Sequence, residues 1–141
     1  MAVFCRPAVA VPEHVITLEE TLELCRRLHS EHSQLELALR LIRNTNIAKR
    51  HLVRPIEEIL HHPGFEERNA CYVAEARKRV PQVVETALQN AGIGASAVDA
   101  VIYVSCTGFT MPSMTAWMIN NLGLPTHAVQ LPIAQLGCAA G

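Results

Sequence analysis

Two stretches near the start of the chain carry hydrophobic residues at a helical period. Four leucines between positions 18 and 28 recur close to every 3.6 residues, which predicts an amphipathic helix. Thr17 and Glu20 have the spacing of a capping box at the start of this helix. Ser33 and Glu36 repeat that spacing before LELALRLIR, which predicts a second amphipathic helix.

The segments around these two helices are short and irregular in pattern. VFCRPAVAVP is rich in β-branched residues and contains prolines, which predicts a short strand that enters a turn. NTNIAKRHLVRP is polar and basic and predicts a connection that Pro55 closes. IEEIL predicts a short helix before a turn.

The second half of the chain alternates helical and strand patterns. A long helix is predicted from about Glu66 to Asn90, with Pro81 interrupting or restarting it, and Gly92 ends it. VDAVIYVSC is a continuous apolar run typical of a buried central strand. Pro112 suits the first position of the next helix, MTAWMINNLGL.

HAVQLPIA then predicts another strand, and LGCAAG predicts a turn after it. This order implies an α/β fold with a parallel or mixed sheet covered by helices. Residues 1–141 contain no internal repeat and no clear interdomain linker, so they are expected to form one portion of a single domain.

Composition excludes several classes of protein. The formal net charge of −1 shows no overall bias toward nucleic acid or an anionic membrane, although a basic run extends from Arg40 to Arg54. No stretch has the roughly 20 apolar residues that span a bilayer, and the start does not resemble a signal peptide. Five widely spaced cysteines without a CxxC pair indicate reduced thiols in the cytoplasm, and no metal site is predicted.

Cys138 is the strongest candidate for chemistry. It lies between a predicted strand and a nascent helix, where unpaired N–H groups favour the reactive thiolate and stabilise an oxyanion. Gly137, Ala139 and Gly141 let the backbone turn sharply and let a ligand approach. The alternative is that Cys138 is a small buried hydrophobic residue, and no partner base is visible near it in the sequence.

Three segments, LALRLIRNT…KRHLVRPIE, YVSCTGFTMPSMTAWMINNLGL and QLPIAQLGCAAG, together resemble the N-terminal half of bacterial type III polyketide synthases of the chalcone-synthase-like family. The resemblance covers essentially the whole chain. It implies a thiolase-like layered fold, of which this chain is the N-terminal half, and a homodimer. Within the family, the sequence is most similar to the actinomycete enzymes that form 1,3,6,8-tetrahydroxynaphthalene.

The resemblance assigns roles to individual residues. Cys138 falls in the family's G-C-x-A-G turn and would carry the acyl chain as a thioester. Cys106 and Thr107 fall in the substrate pocket, and Met111 falls where a methionine reaches into the partner's cavity. The alternatives are that Cys106 is a core cysteine and that Met111 packs at a helix cap.

Arg40 matches an arginine that contacts the phosphates of coenzyme A, although Leu37 and Asn44 replace nearby lysines of other members. The alternative for the other basic residues of the run is a solvated face. No histidine here matches the family's catalytic histidine, and its catalytic asparagine also lies far downstream of the cysteine. The chain is therefore expected to be truncated through the active site and to be inactive alone.

The implied activity is decarboxylative Claisen condensation of malonyl-CoA units on Cys138, followed by cyclisation, with no cofactor, metal or acyl carrier protein. An alkylpyrone synthase of the germicidin type and a ketoacyl synthase of fatty-acid initiation are alternative enzymes. A truncated paralogue that acts only as an interaction fragment, through its apolar MPSMTAWMINNLGL face, is the non-enzymatic alternative.

Overall fold

The computed structural model describes residues 3–61 and 64–134. These residues divide into two compact units, the first formed by residues 11–61 and the second by residues 3–10 and 64–134. Among the described residues, no helix has both the length and the apolar character that crossing a bilayer requires.

The first unit contains a two-stranded antiparallel sheet and three helices. Its elements in chain order are β1 (His14–Thr17), α1 (Leu18–Leu28), α2 (Leu35–Asn44), β2 (Lys49–Leu52) and α3 (Ile56–Leu60). His14 pairs with Leu52 and Thr17 pairs with Lys49. Leu22 of α1 and Leu39 of α2 are buried, which explains why the leucine period along the sequence identifies both helices.

The predicted capping box of α1 is confirmed. The Thr17 hydroxyl accepts a hydrogen bond from the Glu20 N–H at 3.2 Å, and the Glu20 carboxylate accepts one from the Thr17 N–H at 2.7 Å. The second predicted capping box is wrong, because α2 begins after Gln34 and no side chain caps it.

The strand predictions for residues 3–55 are also wrong. No strand lies within residues 3–12, and β1 begins at His14 instead. β2 lies inside the polar segment that the sequence predicts as a connection. Such strands give a weak pattern because each has four residues and pairs with only one neighbour among the described residues.

The second unit packs helices against a parallel pair of strands. It contains α4 (Phe65–Ala91), a short 3₁₀ helix (Ala95–Ala97), β3 (Ala100–Ser105), α5 (Met114–Asn121) and β4 (Val129–Ala134). The core contains Val101 of β3, Met114, Met118 and Ile119 of α5, and Leu124 after it. The predicted order of helix, strand, helix and strand is confirmed.

Three details of the second unit differ from the predictions. α4 continues through Pro81 because Val80 and Val84, on either side of it, both pack against the core. Pro112 precedes the N-cap of α5 rather than opening the helix, since Ser113 accepts a hydrogen bond from the Ala116 N–H. β3 is not buried on both faces, because 63% of Ile102 is exposed.

Candidate active site

The carboxyl ends of β3 and β4 lie side by side. Ser105 pairs with Ala134 in the parallel register, so both strands end at the same edge of the sheet. Residues 106–113 connect β3 to α5 and are called the β3–α5 loop below. Ligands of α/β proteins bind beyond the carboxyl ends of parallel strands, so this edge is the candidate site.

The β3–α5 loop carries three of the predicted site residues. Cys106 and Thr107 are exposed at its start. Exposure of Cys106 means that it is not a core cysteine within this chain. Its role in a substrate pocket stays a prediction.

Met111 is 92% exposed in the same loop. A side chain so exposed is not packed at the cap of α5, so that alternative for Met111 does not hold in this structure. An exposed methionine is suited to contact a neighbouring surface. Its place in a partner's cavity stays a prediction.

The loop is attached to the amino-terminal part of α4. The Asn69 side-chain oxygen accepts a hydrogen bond from the Phe109 N–H at 3.0 Å. The rings of Phe65 and Phe109 stack with their centroids 5.7 Å apart. Gly108 lies against the ring of Tyr72 so closely that a Cβ atom at position 108 would overlap that ring. Glycine is therefore required here for space.

A hydrogen bond also closes the loop on itself. The Ser105 hydroxyl donates to the Gly108 carbonyl oxygen at 2.8 Å. At the other end of the loop, the Ser113 and Thr115 hydroxyls lie 2.8 Å apart, and Thr115 is fully buried. The loop is thus held at both of its junctions with regular structure.

A small cavity of about 60 Å³ lies between the loop, Tyr72 and the ends of the two strands. The Tyr72 and Tyr103 hydroxyls are hydrogen-bonded to each other at 3.0 Å beside it. Burial, and then the hydrogen bond with Tyr72, raise the pKa of Tyr103 well above its ordinary value of 10.0. The Thr110 hydroxyl oxygen, also at this cavity, is buried and has no hydrogen-bond partner among the described residues. The cavity is therefore apolar with a few hydroxyl groups.

The other two predicted site residues lie elsewhere in the sequence. Arg40 lies on α2 in the first unit and, with Glu36 and Arg43, lines a surface depression of about 350 Å³. Cys138 lies outside the described residues, four positions after the end of β4 in the sequence. The structure therefore neither supports nor contradicts the role predicted for its thiol.

A cavity of about 410 Å³ in the first unit lies between β1, α1 and α3 and contains no predicted site residue. Within residues 3–61 and 64–134, no group of three or more histidine, cysteine or acidic side chains has the arrangement of a metal site.

The α4 residues that contact the loop were not predicted from the sequence, namely Phe65, Asn69 and Tyr72. One signal was available. The chain has only six aromatic residues, and both tyrosines and two of the three phenylalanines lie at this place. In a chain so poor in aromatic residues, such a concentration indicates a specific packing role.

The sequence matches the family described as chalcone and stilbene synthases, N-terminal domain, over residues 2–141. It is 62% identical over all 141 residues to a 1,3,6,8-tetrahydroxynaphthalene synthase of Streptomyces coelicolor. It is 48% identical over the same length to a phloroglucinol synthase of Pseudomonas fluorescens. The chain spans 38% and 40% of these two relatives.

Solved structures show the same fold. The crystal structure of the Streptomyces coelicolor tetrahydroxynaphthalene synthase, a bacterial type III polyketide synthase, superposes with a TM-score of 0.91 at 61% identity, over 99% of this chain and 40% of that chain. A germicidin synthase of the same organism superposes with a TM-score of 0.72 at 21% identity, over 92% of this chain and 42% of that chain, which shows the fold alone. The predicted thiolase-like α/β architecture is confirmed, with this chain corresponding to its N-terminal part.

Proposed function

The chain belongs to the chalcone and stilbene synthase family, and from this we propose that it is the N-terminal part of a type III polyketide synthase that makes 1,3,6,8-tetrahydroxynaphthalene from malonyl-CoA. The observation that carries the proposal is 62% identity to a synthase of that product across the whole chain. The substrate and the homodimeric assembly are parts of the same proposal.

Cys138 is the proposed nucleophile. Its thiolate attacks the thioester carbonyl of malonyl-CoA, the C–S bond to coenzyme A breaks, and the acyl group becomes a thioester of Cys138. One thioester replaces another, so the exchange has little thermodynamic cost. The proposal is supported by the G-C-A-A-G sequence at residues 137–141, which follows β4, a strand that ends at the same sheet edge as β3.

Chain extension follows from the same chemistry. Loss of CO₂ from a further malonyl unit leaves an enolate, whose carbon attacks the acyl thioester and displaces its sulfur. The extended chain, now a thioester of coenzyme A, returns to Cys138 by thioester exchange before each further condensation. Repeated rounds give a pentaketide, which cyclises and is released as the aromatic product. The reaction needs no metal, prosthetic group or carrier protein in this proposal, because the thioester and the carboxylate of malonyl-CoA supply the activation.

The β3–α5 loop is the proposed wall of the substrate pocket. Cys106 and Thr107 are exposed beside the strand ends, where an acyl chain attached to Cys138 would extend. The 92% exposure of Met111 supports its proposed contact with the second subunit.

The test is turnover by the purified full-length protein with malonyl-CoA as the only acyl substrate. We expect release of CO₂ and coenzyme A and formation of the aromatic pentaketide, and we expect Cys138→Ala to abolish condensation and therefore formation of the product. Cys5→Ala is the matched control, because Cys5 is exposed and far along the sequence from the site, and it should keep full activity.

Three results would contradict the proposal. Product formation by Cys138→Ala would exclude this residue as the nucleophile. A requirement for a fatty acyl starter, with an alkylpyrone as product, would assign the chain to the alternative branch, and a requirement for acyl carrier protein would exclude both.

A further inference from the structure

One face of α4 contacts the β3–α5 loop at successive positions. Phe65, Asn69 and Tyr72 are spaced i, i+4 and i+7, which places their side chains on the same face of the helix. We call these three residues the α4 clamp. None of them has a role in the chemistry proposed above.

The clamp holds the middle of the loop through three different contacts. Tyr72 limits position 108 by packing, Asn69 binds the backbone N–H of residue 109, and Phe65 stacks on the side chain of residue 109. Cys106 and Thr107 lie on one side of this attachment, and Met111 lies on the other. The attachment therefore separates two short segments that each carry predicted pocket residues.

Tyr72 is itself held in place by a hydrogen bond to the sheet. Its hydroxyl is hydrogen-bonded to that of Tyr103 on β3, so the clamp is tied to the sheet as well as to the loop. Asn69 on α4 accepts a hydrogen bond from the backbone N–H of Phe109 in the loop. Removing that bond frees the Phe109 N–H without disturbing the packing of Tyr72.

We propose that Asn69 is a positioning residue that sets polyketide chain length by fixing the conformation of the β3–α5 loop. This inference rests on the proposed function. A poly-β-ketone chain cyclises or hydrolyses early when its pocket does not hold it extended. A loop that samples more conformations gives a less defined pocket, so shorter products are released.

The experiment compares Asn69→Leu with Asn69→Asp in the full-length protein. Leucine has a similar size but no acceptor, whereas aspartate keeps an oxygen that accepts from the Phe109 N–H. With malonyl-CoA as substrate, we expect Asn69→Leu to raise the ratio of shorter ketides to pentaketide at least about threefold, and Asn69→Asp to stay near the unaltered ratio.

A second measurement reports on the loop directly. The Phe109 amide should exchange its hydrogen at least about fivefold faster in Asn69→Leu than in the unaltered protein, with little change in Asn69→Asp. If Asn69→Leu does not fold, Phe65→Leu replaces it, because it removes the ring stacking at residue 109 and keeps an apolar side chain.

The outcomes separate this inference from the proposed function. An unaltered protein that forms no polyketide from malonyl-CoA overturns the proposed function. A product ratio unchanged in both Asn69→Leu and Phe65→Leu, in a protein that does form polyketides, overturns the positioning role alone. A loss of all products in equal proportion also overturns it, because a merely structural role lowers the amount of active enzyme without changing its products.

Discussion

Arg40 lies among charged neighbours on an exposed helix face. It shares its depression with Arg43, which adds positive charge, and with Glu36, which offsets part of it. Phosphate groups favour such arginine clusters because the guanidinium donates two parallel hydrogen bonds. Since these side chains are exposed, salt partly screens their electrostatic attraction for phosphate.

We expect Arg40→Ala to raise the KM for malonyl-CoA about threefold to tenfold in the full-length protein, with little change in kcat, because it removes a contact to a part of the substrate that does not react. Steady-state kinetics measure this change. Raising the ionic strength should reduce the difference in KM between Arg40→Ala and the unaltered protein. Arg26→Ala, an exposed arginine on α1, is the matched control. Equal effects of the two variants would show that Arg40 has no specific role.

The shared position of residues in a local motif could be predicted, whereas contacts between residues distant in the sequence could not. Cys106, Thr107 and Met111 lie in one continuous motif, so their shared loop could be predicted from the sequence. Asn69 is 40 positions from Phe109, and nothing in either neighbourhood indicates that they meet.

At the scale of single elements, the stability of α1 depends on the hydrogen bonds of its first turn. The Thr17 hydroxyl accepts a hydrogen bond from one of the N–H groups that the start of a helix leaves unpaired. In turn, the Glu20 carboxylate accepts a hydrogen bond from the backbone N–H of Thr17. The Thr17 carbonyl also accepts a hydrogen bond from the Thr21 hydroxyl at 2.7 Å. Thr17 is the last residue of β1, so the same residue ends the strand and caps the helix.

We expect Thr17→Val to lower the free energy of opening of α1 by about 1 kcal/mol, since valine keeps the β-branched shape but offers no oxygen to the Glu20 N–H. Amide hydrogen exchange along α1 measures this loss. Ser33→Ala is the control, because Ser33 has the same spacing from Glu36 but caps no helix, and exchange along α2 should not change.

The same capping box makes α1 sensitive to acid. Hydrogen bonds from the Thr17 backbone and side chain hold the pKa of Glu20 below its ordinary value of 4.5. A depressed pKa means that this carboxylate stabilises α1 above pH 4.5 and that the contribution disappears as the pH falls through the pKa of the folded state. In Glu20→Gln, the protection of the α1 amides from hydrogen exchange should therefore change less over that pH range than in the unaltered protein. An equally steep change in this variant would assign the acid sensitivity to another group.

The elements show why some segments were predicted and others were not. Helices with a cap or a leucine period were predicted close to their observed bounds, because both signals are local. β1 and β2 were missed, because their pairing joins residues up to 38 positions apart and their side chains do not alternate clearly. The predicted interruption of the helix at Pro81 does not occur, because packing on both sides of this residue keeps α4 continuous.

At the scale of the molecule, the parallel sheet of the second unit has unequal faces. One face carries Val101, which is 7% exposed in the core beside α5. The opposite face presents four apolar side chains, each more than 40% exposed, namely Ile102, Val104, Val129 and Leu131. The register places them side by side, so they form one continuous apolar surface.

We expect the 141-residue chain, expressed alone, to associate through this surface and to bind a hydrophobic dye. The double substitution Ile102→Thr and Leu131→Thr should reduce dye fluorescence at least about twofold and shift size-exclusion elution toward the monomer, because it removes apolar area at the centre of the surface. Ile93→Thr, at an exposed site outside the sheet, is the control. If the double variant and the unaltered chain associate to the same degree, another surface is responsible for the association.

The close approach of Gly108 to Tyr72 also restricts how this sequence can evolve. A Cβ atom at position 108 would overlap the ring of Tyr72 and lie 2.9 Å from its Cβ atom, so room for it requires loss of the ring together with a small shift of the backbone. The two substitutions should therefore be accepted in a fixed order, with position 72 changing first. Among descendants of a common ancestor, a side chain at 108 should accompany the loss of the aromatic ring at 72.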